Sequence, residues 1–152
     1  MRATSYKGAL FVFLFLIGIV GIYVFLLYPL GAPREDEIIW LSDMNEAKSK
    51  AQNEYKPLLI YFYMVFDDTC NRMMSETFSN TTLMNRLSEN FILVKLNSNS
   101  NQYWTSYYDV RIVPETIFAS PEGKTLRSVS GFKDSRTFYD EALKALEKWK
   151  KK

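Results

Sequence analysis

The sequence predicts an α/β domain with a central sheet flanked by helices, preceded by one N-terminal transmembrane helix. Three observations carry this reading. An uncharged run extends from Ala9 to Leu30, helical and strand patterns alternate after Trp40, and an S-P-E-G turn at Ser120 to Gly123 folds the last two strand patterns into a hairpin. With 152 residues, 47% of them hydrophobic, the chain has material for one modest core beyond the apolar run.

The apolar run reads ALFVFLFLIGIVGIYVFLLYPL. At about 1.5 Å of rise per residue it is long enough to cross a hydrocarbon core of about 30 Å. A cleaved signal peptide is the competing reading, but its apolar region spans about 7 to 15 residues and ends at a small-residue site. This run is longer and leaves through Tyr28-Pro29-Leu30-Gly31-Ala32-Pro33, so an uncleaved signal anchor is expected. Arg2 and Lys7 precede it, and Glu35, Asp36 and Glu37 crowd behind Arg34. The positive-inside rule then keeps residues 1–8 cytoplasmic, makes 9–30 the anchor and 31–39 a linker, and places the domain, 40–152, on the extracytoplasmic side: periplasm, cell exterior or organelle lumen. Gly18 and Gly21 form a small patch on this helix, either a seat for a partner helix or ordinary membrane glycines.

Charge and composition exclude several classes. Of 19 Lys and Arg, removing Arg2 and Lys7 leaves 17 against 17 Asp and Glu, so the chain beyond the anchor is formally neutral and nucleic acid is not an expected partner. The tail lysines 144, 148, 150, 151 and 152 fit the end of a helix, complementing its dipole, with a lipid or acidic-partner patch as the alternative. Histidine is absent, which removes the commonest general base and transition-metal ligand. No cofactor and no metal site are expected, and one cysteine forms no internal disulfide.

The elements follow in order. Ser42 and Asp43 start a helix running to about Asn53, with Asp43 and Glu46 at capping-box spacing and Met44, Ala47 and Ala51 on one face. Pro57 opens the strand L-L-I-Y-F-Y-M-V-F, continuously apolar like a strand covered on both faces. Cys70 to Leu87 reads as a long helix, irregular near Ser79-Asn80, with Met73, Met74, Phe78, Leu83, Met84 and Leu87 inward. F-I-L-V-K-L from Phe91 is a second buried strand, N-S-N-S-N from Asn97 a loop, and Tyr103, Trp104, Tyr107 and Tyr108 a short aromatic segment. V-R-I-V-P-E-T-I-F-A is a strand with Pro114 near its start, T-L-R-S-V-S-G an alternating edge strand. Asp134 to Lys151 closes the chain as a helix with Phe138, Ala142, Leu143, Leu146 and Trp149 at helical spacing.

Together the segments W-L-S-D-M-N-E-A-K-S-K-A, K-P-L-L-I-Y-F, C-N-R-M-M-S-E-T-F, Y-D-V-R-I-V-P-E-T-I-F-A-S-P-E-G-K and S-G-F, in this order, resemble the thioredoxin superfamily, particularly its short membrane-anchored or secreted domains. The resemblance spans Trp40 to about Trp149. It implies a thioredoxin-like sheet flanked by helices. Redox-active members end the first strand in Trp-Cys-x-x-Cys, where this chain has Phe66-Asp67-Asp68-Thr69-Cys70. The aromatic and second cysteine match, and Asp67 stands in the seat of the nucleophile. A carboxylate forms no mixed disulfide, so dithiol exchange is not expected.

Two readings remain for each side chain here. Asp67 or Asp68 caps the following helix, or the pair serves metal binding or acid/base work with Glu115 as the nearest further acid. Cys70 is a small buried residue, or a monothiol that forms an intermolecular disulfide or glutathione adduct. The resemblance also implies a cis bond between Val113 and Pro114, a Val113 backbone that pairs with extended peptides, and Glu115 where relatives carry a small residue; the alternative for Pro114 is a mere strand-start proline. The expected binding set is therefore Phe66, Asp67, Asp68, Val113, Pro114 and Glu115, extended or not by the aromatics around Trp104. The expected function is that of a redox-inactive accessory, scaffolding or chaperone-like subunit binding a membrane-protein partner, with a monothiol redox protein using Cys70 as the alternative. Asn80-Thr81-Thr82 is a glycosylation sequon, meaningful only in a eukaryotic secretory setting.

Overall fold

A computed structural model describes residues 13–20, 22–23 and 38–151. Most of the predicted membrane span, 9–30, lies outside the described residues, as do residues 1–8 and nearly all of the linker. Residues 13–20 and 22–23 are helical with exposed side chains. Among the described residues no helix is long and apolar enough to cross a membrane.

Residues from Ile38 onward form a compact unit. Its elements are α1 (Met44–Glu54), β1 (Leu58–Tyr63), α2 (Asp68–Arg72), a π-helical turn (Met73–Thr77), α3 (Thr81–Asn90), β2 (Ile92–Asn97), α4 (Gln102–Tyr107), β3 (Glu115–Ala119), β4 (Thr125–Ser130) and α5 (Ser135–Lys150). The sheet order is β2-β1-β3-β4, with β1 and β2 parallel and the other neighbours antiparallel. This is the mixed α/β sheet flanked by helices that the alternation of patterns predicted.

Both faces of the sheet are buried, which is why β1 and β2 read as unbroken apolar runs. Leu58, Ile60 and Phe62 face Met44, Ala47 and Ala51 of α1 together with Ile92, Val94, Leu96 and Ile117. Leu59 and Tyr61 face Met73, Phe78, Leu83, Met84 and Leu87, with Phe118, Phe138, Ala142 and Ala145 completing that layer. Phe78 and Phe138 meet edge to face at 5.1 Å between ring centres, tying the π-helical segment to α5.

Three expectations need correction. The first strand ends at Tyr63 rather than Phe66: its pairings stop at Tyr63–Asn97 and Phe62–Glu115, and Phe66 beyond them takes a left-handed backbone (φ 69°) that no strand residue adopts. The long helix is three pieces: α2, the π-helical turn, and α3, which restarts at Asn80, whose side chain accepts the Leu83 N–H at 3.0 Å. On α5 the inward face is Phe138, Ala142 and Ala145, with Leu146 and Trp149 at its margin, while Leu143 is exposed. The hairpin turn behaves as predicted. Gly123 N–H donates to the Ser120 carbonyl at 2.8 Å with φ at +94°, a conformation that an added Cβ, 3.3 Å from the Tyr108 hydroxyl, would strain.

Candidate functional site

The site lies where β1 ends and α2 begins. Met64 and Val65 leave the sheet, and Phe66 carries its ring into solvent with 94% of its surface exposed. Asp67 then caps α2: its backbone is extended and its carboxylate accepts the Cys70 N–H at 2.7 Å. That hydrogen bond, foremost among the causes, holds the Asp67 carboxyl below its ordinary range. Asp68 is the first residue of α2 and is exposed. The geometry thus matches the capping reading for Asp67.

Cys70 is 2% exposed. Its carbonyl accepts the Tyr61 hydroxyl at 3.2 Å, so the thiol-bearing turn is fastened to the centre of β1. Burial, first among the causes, pushes the thiol upward, and the nearby Asp67 carboxylate adds to the effect. A reactive thiol has the opposite environment, exposed and electropositive. Tyr61 is raised as well, by its own burial first.

Opposite this turn, the Val113–Pro114 bond is cis. The β1–β3 ladder ends at the Phe62–Glu115 pair, so Val113 and Pro114 lie just past it. Pro114 is buried and its carbonyl accepts the Gly131 N–H at 2.8 Å, while Val113 is half-buried against the α1-side layer. Ile112 beside them is exposed. Glu115 does not join Asp67 and Asp68. It is 6% exposed and accepts a hydrogen bond from the Ser128 hydroxyl of β4, a partner that the sequence reading missed although the alternation of T-L-R-S-V-S placed Ser128 on the same side as Glu115. Among the described residues no group of three or more His, Cys, Asp or Glu side chains comes together as a metal site would require.

Two further neighbours were not legible in the sequence. Arg72, at the end of α2, places its guanidinium 3.8 Å from the centre of the Phe132 ring and bonds Glu76 at 3.0 Å. The aromatic segment divides: Trp104 and Tyr108 pack on the α1-side layer, whereas Tyr103 and Tyr107 are exposed and with Gln102 and Ser106 line a shallow hollow. The core reading of that segment therefore holds for Trp104 and Tyr108.

The chain belongs to the thioredoxin-like domain family, whose match covers residues 44–147. Among solved structures it is similar to "DsbH Oxidoreductase", at 18% identity and TM-score 0.66, covering 79% of this chain and 94% of that one. It is also similar to a thioredoxin from Thermus thermophilus, at 18% identity and TM-score 0.67 over 74% and 91%, and to the C-terminal domain of Neisseria meningitidis DsbD in the oxidised form, at 16% identity and TM-score 0.59 over 70% and 99%. At these identities the likeness is one of fold. No curated protein matched the sequence.

Proposed function

We propose that this protein is a thioredoxin-like polypeptide-binding domain, tethered at a membrane by residues 9–30, that does not carry out dithiol exchange. It serves as an accessory, scaffolding or chaperone-like subunit for a membrane-protein partner, on the extracytoplasmic side. The observation that carries the reading is the capping of α2 by Asp67 at the head of a turn whose one thiol, Cys70, is buried. Aligned with the family's redox motif, Asp67 fills the place of the attacking sulfur, and the remaining cysteine has no mixed disulfide to resolve. The exposed Phe66, Val65 and Ile112 around Val113–Pro114 supply an apolar rim for an extended peptide.

Insulin reduction with a chemical reductant tests the missing chemistry: turnover comparable to a Cys-x-x-Cys thioredoxin refutes it. Asp67→Cys should close an internal disulfide with Cys70, and failure to do so refutes the alignment. Binding of a permanently unfolded polypeptide tests the rim, where Phe66→Ser should weaken affinity by about tenfold, roughly the 1.4 kcal/mol of one exposed aromatic contact. Unchanged affinity refutes the rim.

The second reading, a monothiol redox protein using Cys70, draws support from the oxidoreductase named among the structural neighbours. It requires a thiol that reacts in the native fold.

A further inference from the structure

The stretch Asn97–Tyr108 reads N-S-N-S-N-Q-Y-W-T-S-Y-Y, twelve residues without Asp, Glu, Lys or Arg in a chain of which 24% is charged. Its polar side chains fall into two sets. Asn97, Ser100, Asn101 and Thr105 hydrogen-bond within the loop and α4, and the Tyr108 hydroxyl donates to the Gly123 carbonyl at 3.1 Å. Gln102, Tyr103, Ser106 and Tyr107 are exposed, their amide and hydroxyls bonded to no other side chain or backbone group among the described residues, and together they line one shallow hollow of about 480 Å³. The rings of this hollow are held from below. Tyr103 meets Trp104 edge to face at 4.8 Å between ring centres, Tyr107 meets Tyr108 likewise at 4.8 Å, and Trp104 and Tyr108 pack in the α1-side layer. Tyr103 and Tyr107, four residues apart on α4, stand nearly parallel, 6.3 Å between centres with their planes 24° apart. Rings fixed in this way lose little freedom when a ligand covers them.

The lining decides what fits. No cation or anion belongs to it, and the nearby Lys48 ammonium lies over the Trp104 ring at 5.8 Å, so phosphate backbones and charged side chains find no counter-charge in the hollow. The backbone of α4 bonds within its own helix, so an extended peptide gains no ladder there, and six residues are too few to present a groove to a partner helix. A purely apolar ligand would strip water from the Gln102 amide and three hydroxyls without replacing it. A neutral saccharide meets every one of these conditions: its C–H faces lie on the two rings, and its hydroxyls exchange hydrogen bonds with the amide and hydroxyls around them. The hollow also falls within the ~300 to 1,000 Å³ of small-ligand sites. We propose that the Tyr103–Tyr107 face of α4 is a binding site for neutral glycans.

The test runs the full chain, in a polyoxyethylene detergent that carries no sugar, on native gels containing glycogen, laminarin, galactomannan or mannan. At least one of these neutral polysaccharides should retard it relative to a non-binding marker protein, and alginate, an acidic polysaccharide, should not. Tyr103→Ala and Tyr107→Ala should each weaken the retardation about tenfold, whereas Tyr107→Phe, which keeps the ring, should stay within about threefold of the parent. If the alanine variants fail to fold by circular dichroism, Ser106→Trp, which fills the hollow from an exposed position, should abolish the retardation. No retardation by any of the neutral polysaccharides overturns the proposal, as does equal retardation by alginate or retardation that both folded alanine variants keep. Loss of unfolded-polypeptide binding in the alanine variants, without glycan retardation of the parent, assigns the face to peptides and overturns it as well.

Discussion

The chemistry of this protein turns on whether Cys70 can be reached without unfolding, and alkylation rates measure that directly. For a reagent to touch the sulfur, the first turn of α2 must leave β1. That movement breaks the Tyr61 hydroxyl bond to the Cys70 carbonyl, about 1 kcal/mol, and withdraws the buried Cys70 together with Met73, which packs in the same layer as Tyr61, about 3 kcal/mol. An opening that costs about 4 kcal/mol is populated roughly one part in a thousand, so native alkylation should run about a thousandfold slower than in urea-unfolded protein. The raised thiol lowers any direct reaction of the folded state further at neutral pH. The assay is iodoacetamide trapping followed by intact-mass analysis, native and in urea, at one pH. Tyr61→Phe provides an internal check, because it removes only the hydroxyl bond and should speed native labelling about fivefold. Native protection of less than tenfold would refute the argument from burial and restore the monothiol reading.

Other outcomes follow from the same geometry. The carboxyls of Asp67 and Asp134 are both depressed in the fold, by the Cys70 N–H and chiefly by the Thr137 hydroxyl respectively. Each therefore contributes stability above its unfolded value, lost as pH falls through the folded one, so urea midpoints should drop below about pH 4 and do so less steeply in Asp67→Asn with Asp134→Asn. Ser128→Ala leaves the buried Glu115 carboxylate without its hydroxyl donor and should cost about 1.5 to 3 kcal/mol in urea unfolding. Adding Glu115→Gln should recover part of that loss, and strict additivity would show that the two side chains do not interact. Phe138→Ala, which removes a ring packed between Phe78 and Phe118, should cost about 3 to 5 kcal/mol by thermal unfolding.

Most of the fold is local information and is visible in the chain. The Asp43 cap, the apolar runs of β1 and β2, the Pro-Gly turn at 120–123 and the α5 periodicity each depend on neighbours a few residues away, and each forms the predicted element. The candidate site was legible where its logic is also local: Asp67 sits three residues ahead of the N–H it satisfies. Where tertiary partners decide, the sequence is mute. Glu115 and Asp67 look like neighbours in a shared acidic site, yet Glu115 starts a strand whose next neighbour is β4, and its carboxylate is taken by Ser128. Phe66 looks like the last residue of a buried strand, but its left-handed backbone turns the ring outward.

The sequence by itself determined the element types, their order and the helix cap at Asp67, because periodicity, capping and residue chemistry are properties of short stretches. Only the tertiary structure decided that Cys70 is buried and tied to Tyr61, and that Lys148 reaches the Leu126 carbonyl twenty-two residues away. Burial and long-range hydrogen bonds exist only once distant segments pack, and those two things set how far the thiol can be reached.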